Sequence, residues 1–235
     1  ESEADATCKR NAFLALLHMA PERAVAFLES MIDQITLYDE LMQMAIIELI
    51  RKDAKGECPR RPQYIAAVSE LLASPSHAVK YEAAITLAGL TQNVAAVKAV
   101  AAALIELTVK ESDNNVKLIV LDRLNALRQR HEHALDPLVI DLLRVLSSPD
   151  MDVRRKVLSM ALEMLSVRTV EEVILVLKKE LAKTAGAAQE AGAEYRQLLI
   201  QTLHSCAVRF SDVASSVVYE LMDLLGDSNN PSALD

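Results

Sequence analysis

Three polar corners in this chain, "SPSHAVKYEAA", "SDNNVKLIVLD" and "SPDMDVRRKVL", lead into helices with one shared template. Their leading valines, Val79, Val116 and Val153, are spaced 37 residues apart both times. A basic residue follows each one: Lys80, Lys117 and Arg154. Counting from the valine, positions +4, +5, +8 and +11 are apolar in all three: Ala83, Ala84, Leu87, Leu90; Val120, Leu121, Leu124, Leu127; Val157, Leu158, Ala161, Met164. At about 100° per residue these positions fall on one stripe, which is a helix pattern and not a strand pattern. A helix that recurs at such a period cannot bury its stripe alone and must stack on its neighbours.

The template extends outward with looser spacing. Cys8 leads Lys9, Ala12, Phe13, Leu16 and Met19; Leu41 leads Ala45, Ile46 and Leu49; Tyr195 leads Arg196, Leu199, Ile200, Leu203 and Cys206. Between these units lie further apolar-periodic segments, such as "PERAVAFLESMIDQI", "PQYIAAVSELLAS" and "VEEVILVLKKELA". Each unit therefore reads as two antiparallel helices joined by a short turn. The predicted fold is all-α, a curved α-solenoid of HEAT-type or armadillo-type helix pairs, with residues 1–235 as one continuous domain. Loop insertions are expected near 51–63 ("RKDAKGECPRRPQ") and 183–195 ("KTAGAAQEAGAEY"), and "GDSNNPSALD" reads as a frayed end.

Composition fits stacked helices: 51% of residues are apolar and only 3% aromatic, so small aliphatic side chains fill narrow gaps, and five glycines with seven prolines leave little for a turn-rich β fold. The net charge of -8 disfavours nucleic acid as a partner, because phosphate binding needs a basic surface. Cys8, Cys58 and Cys206 are far apart and form no CxxC pair, which argues for a reducing, cytosolic setting without disulfides or zinc. The most apolar stretch, "VAAVKAVAAALIELTV", is too short for a bilayer and carries Lys98 and Glu106. The chain opens without methionine and almost at once inside a repeat helix, so an excerpt of a longer protein is expected.

Signals for chemistry are sparse. "RHEHALD" brings His131 and His133 near Asp136, but residues two apart on a helix point about 200° from each other and no further ligand stands at a recognised spacing. Cys206 beside His204, or Cys8 with His18, invites a nucleophile reading; both cysteines occupy stripe positions, where a packed thiol is inert. No GxxxxGK[ST] loop or HExxH motif occurs. The expectation is a chain that is not an enzyme and that uses no cofactor or metal.

The corners have a structural role. Asp113 and Asp150 are N-caps of their helices. Lys117 and Arg154, placed in first turns where the helix dipole opposes them, require compensating partners, so an ionic ladder is expected, with a rung from Arg154 to Asp113. On the flank opposite the stripe, positions +2, +6 and +9 supply Tyr81, Ile85, Leu118, Asp122, Asn125, Arg155 and Leu162. A solvated strip would carry more charge, so either an adjacent helix or a partner covers it; Tyr81, Leu118 and Arg155 are the candidate partner contacts.

"DATCKRNAF" and, far more specifically, "LLRVLSSPDMDVRRKVLSMALEMLSVRTVEEVILVLKKEL" resemble the N-terminal trunk family of vesicle-coat large subunits. The likeness is close to the coatomer (COPI) beta type and more distant to the large subunits of clathrin adaptors, and it covers essentially the whole chain. It implies a coat scaffold acting in Golgi-to-ER and intra-Golgi transport, peripheral on Golgi membranes and vesicles through its complex. Implied partners are other coatomer subunits, the delta subunit foremost, and an Arf-family GTPase whose contact helices lie near the trunk's start, in part upstream of this chain. A general HEAT scaffold, of the karyopherin or phosphatase-scaffold kind, is the other reading that the helix pairs and acidic balance allow.

Overall fold

The computed structural model describes residues 5–184 and 190–211, with 214, 215, 217 and 218. Among them the chain forms α-helices and short 3-10 turns without strands. It divides into two compact units, residues 1–111 and 112–235.

The first unit holds α1 (Ala6–Met19), α2 (Pro21–Met31), α3 (Glu40–Asp53), α4 (Arg61–Leu71), α5 (His77–Leu90) and α6 (Val94–Lys110). A 3-10 turn over Ile32–Leu37 joins α2 to α3. Helices α1, α3 and α5 pack in series as one row, while α2 lies on α1 and α3, and α4 and α6 lie on α5. Pro21 and Pro62 open α2 and α4, where a missing N–H costs nothing. Ser76 caps α5 by accepting from the Val79 N–H, and Asn93 caps α6 from Ala95. The core runs through Phe13, Leu28, Ile46, Ile50, Tyr64, Val68 and Leu87, all nearly inaccessible.

The second unit holds α7 (Asn114–Arg130), a short α8 (Val139–Leu143) flanked by 3-10 turns, α9 (Met151–Met164), α10 (Val170–Thr184) and α11 (Glu190–Arg209). Its rows are α7, α9 and α11 on one layer and α8 and α10 on the other. Leu121, Leu124, Val139, Leu142, Val157, Leu158, Leu177 and Leu199 form the seam.

All twelve template positions at +4, +5, +8 and +11 of the regular units are buried. The leaders are less uniform. Val79 and Val153 are fully buried, but Val116 is 36% exposed and Lys117 takes its place at 7%. The lysine stem packs in the seam and its Nζ donates to Ser148 Oγ at 3.2 Å, so a residue scored as polar fills an apolar slot. In α3 the leader is likewise displaced: Leu41 is 52% exposed and Met42 is buried. In α1 only Phe13 and Leu17 are buried, while Leu16 is half-buried and Cys8, Ala12 and Met19 are exposed.

The interruption expected over 51–63 is narrower, because α3 runs to Asp53 and α4 starts at Arg61. It is also tied down. Asp53 accepts from Tyr64 Oη at 2.7 Å, Arg60 at 3.2 Å and Cys58 Sγ at 3.4 Å. Of 183–195, Lys183 and Thr184 belong to α10 and Glu190 to Tyr195 belong to α11; residues 185–189 lie outside those described, as does the tail over 226–235.

Candidate partner-binding surface

Within each unit the exposed side of the first row is crossed by polar ties between successive helices. In the first, Arg51 of α3 pairs with Glu82 of α5 and donates to Thr86 Oγ1 at 2.8 Å. In the second, Arg128 of α7 pairs with Glu163 of α9, Lys156 of α9 pairs with Asp122 of α7, and Arg155 of α9 reaches Glu194 of α11 at 2.9 Å. The partners stand 31 to 39 residues apart, so each tie joins one helix to the next of its row. Exposed pairs of this kind add little stability singly but fix register and leave a strip of alternating charge.

The caps hold this strip in place. Asp113 accepts from the Asn115 N–H at 2.7 Å. Asp150 Oδ1 accepts from the Val153 N–H at 2.9 Å, and its Oδ2 accepts from Asn114 Nδ2 at 3.2 Å, so one carboxylate caps α9 and ties it to the start of α7. Where the sequence argues for an ionic rung from Arg154 to Asp113, the Arg154 guanidinium lies instead over the Tyr195 ring, 3.9 Å from its centroid.

Of the candidate contacts, Leu118 and Arg155 stand on neighbouring helices of the second unit. Leu118 is half-buried; Arg155 is exposed and engaged by Asp152 at 3.0 Å as well as by Glu194. Tyr81, on α5 of the first unit, is half-buried. The flanking Ile85, Asn125 and Leu162 are also half-buried, and Asp122 is exposed.

One feature of this surface was not read from the sequence. An open groove of about 700 Å³ between α1, α2 and α3 is lined by Phe13, Phe27, Met31 and Met42, with Lys9 and Arg23 at its edge. Phe27 comes from the second helix of its pair, whose side chains the one-helix template did not track.

The cysteines and the histidine segment are accounted for by packing and turn contacts among the described residues. Burial pushes the Cys206 thiol up to about 11, which keeps it protonated, and Cys8 is exposed with its Sγ donating to Asp5 at 3.6 Å. The latter corrects its expected place in the packed stripe. His133 sits in the turn after α7 with φ at 61° and pairs with Asp136 at 3.1 Å, so the histidine segment is a polar turn.

Residues 2–233 match the family of the adaptin N terminal region. The chain belongs to the adaptin N-terminal family. This adaptin N-terminal chain is 49% identical over 237 residues to coatomer subunit beta of Sus scrofa, with 100% of the chain and 25% of that protein covered. Identity over 237 residues is 47% to coatomer subunit beta of Drosophila melanogaster and 50% to coatomer subunit beta-2 of Oryza sativa subsp. japonica, again with 100% and 25% covered. The chain thus spans about a quarter (25%) of the length of the curated relatives it matches. Adaptin N-terminal membership agrees with the paired helices. No helix among the described residues is long and apolar enough to cross a membrane.

Proposed function

We propose that this chain is a structural segment of a COPI-coat subunit of the coatomer beta type. It acts by binding other coat subunits in Golgi-to-ER and intra-Golgi transport, without catalysis. The observation that carries this reading is the 47–50% identity to coatomer beta subunits along the whole chain. The helix rows support it physically: each unit presents long, polar-laced helix flanks suited to protein docking. The delta subunit is the foremost partner, with Tyr81, Leu118 and Arg155 as proposed contacts. Membrane attachment is peripheral, on Golgi membranes, through the assembled coat and an Arf-family GTPase.

We also infer that residues 1–235 run as one solenoid, since the 37-residue spacing from Val79 to Val116 to Val153 passes the boundary at 111 and 112 unchanged. X-ray scattering should give an elongated particle; a compact profile contradicts continuity. For function, the tagged chain should recover coatomer subunits from cytosol. Recovery of a Ran-type GTPase without coat subunits would overturn the assignment in favour of a transport receptor.

A further inference from the structure

The basic residue that follows the stripe leader has an oxygen partner in two of the regular units and in the unit led by Tyr195. Lys80 Nζ meets Glu106 at 3.4 Å, Lys117 Nζ meets Ser148 Oγ at 3.2 Å, and Arg196 donates to the Thr184 carbonyl at 2.6 Å. Arg154 differs. Its guanidinium is stacked on Tyr195, its Nε is buried without an acceptor, and no carboxylate among the described residues pairs with it. The neighbouring cations are already engaged, Arg155 by Asp152 and Glu194 and Lys156 by Asp122.

We propose that Arg154 is a docking residue for a single carboxylate from an acidic side chain of a partner protein. The ring that holds it is itself fixed: Tyr195 is 4% exposed and its hydroxyl meets Glu180 at 3.4 Å. A guanidinium held in this way has lost most of its rotamer freedom before any partner arrives, so binding costs less ordering. Its planar end matches a carboxylate with two parallel N–H donors, which a lysine cannot supply. The surroundings select the anion. Asp150, the cap of α9, and Asp152 stand four and two residues before Arg154, and Glu194 is bonded to the adjacent Arg155, so a phosphate cluster or anionic membrane meets more repulsion than one carboxylate does. The inference rests on the reading of the chain as a coat scaffold only for the partner's identity.

Two measurements test it. In the chain labelled with ¹⁵N-arginine, the Arg154 Nε–H resonance should shift saturably with sodium acetate and not with sodium chloride at equal ionic strength. Equal responses to the two salts, or a larger response to inorganic phosphate, overturn the proposal. In capture of coatomer subunits, Arg154→Lys, which keeps the charge and removes the fork, should weaken binding about tenfold, as for a central interface arginine. Capture by a folded Arg154→Lys chain at the unsubstituted level overturns it; if that variant misfolds, the acetate titration decides. Failure of the unsubstituted chain to capture any coat subunit counts against the scaffold reading, while the acetate response still reports on Arg154.

Discussion

Single carboxylates carry much of the local order. Asp150 caps α9 and accepts from Asn114, so Asp150→Ala should lower stability by about 1 kcal/mol or somewhat more, measured by urea unfolding. Asp150→Asn, which keeps a capping oxygen, should cost much less; equal losses would mean that the cap is not the cause. Asp53 responds differently. Burial pushes its carboxyl up, but hydrogen bonds from Arg60, Tyr64 and Cys58, with the Arg60 charge, outweigh burial and hold it below the usual 3.8. Its folded value is thus lower than its unfolded one, so its contribution is complete above that value and is lost as pH falls through the folded one. The melting-temperature gap between the unsubstituted chain and Asp53→Asn should be steady from neutral pH down to about 5 and should close below about 4. A gap independent of pH would remove the charged latch. Asp113 and Asp150 were legible as caps, because a capping residue acts on backbone two or three places away. The partner of Arg154 was not legible, because it lies on another helix and its ring must be placed before the contact exists.

At the level of the helix, the apolar stripe was readable and its edges were not. Positions +4, +5, +8 and +11 of three units are all buried, since alternating turns of Leu, Val and Ala leave one way to pack. The first turn is decided by neighbours, and so Lys117 could displace Val116 once Ser148 was within reach of its amine. Val116→Ala should therefore change stability by no more than about 0.5 kcal/mol. Leu121→Ala, at a fully buried site of the same helix, should cost about 2–5 kcal/mol. Comparable costs in denaturant titrations would show that α7 packs in the register first read from its valine. The break over 51–63 was overestimated for a related reason: its charges and prolines suggest a loop, yet Arg51 and Lys52 continue α3 and Arg60 folds back on Asp53.

On the scale of the whole molecule, helix class and family were legible because a repeated stripe is a global property carried by many residues. The proposed docking surface was legible only as a flank, since which of its side chains are already engaged depends on pairs such as Arg155 with Glu194. A surface of engaged cations, half-buried apolar residues and one stacked arginine suits an extended protein partner more than a small ligand. Direct binding of the purified coatomer delta subunit, followed by sedimentation velocity, tests that claim most closely. Scaffolding predicts a single faster boundary of one-to-one stoichiometry at about 10 μM of each protein, a concentration that captures micromolar affinity. Two independent boundaries at that concentration, with both proteins folded, would contradict it.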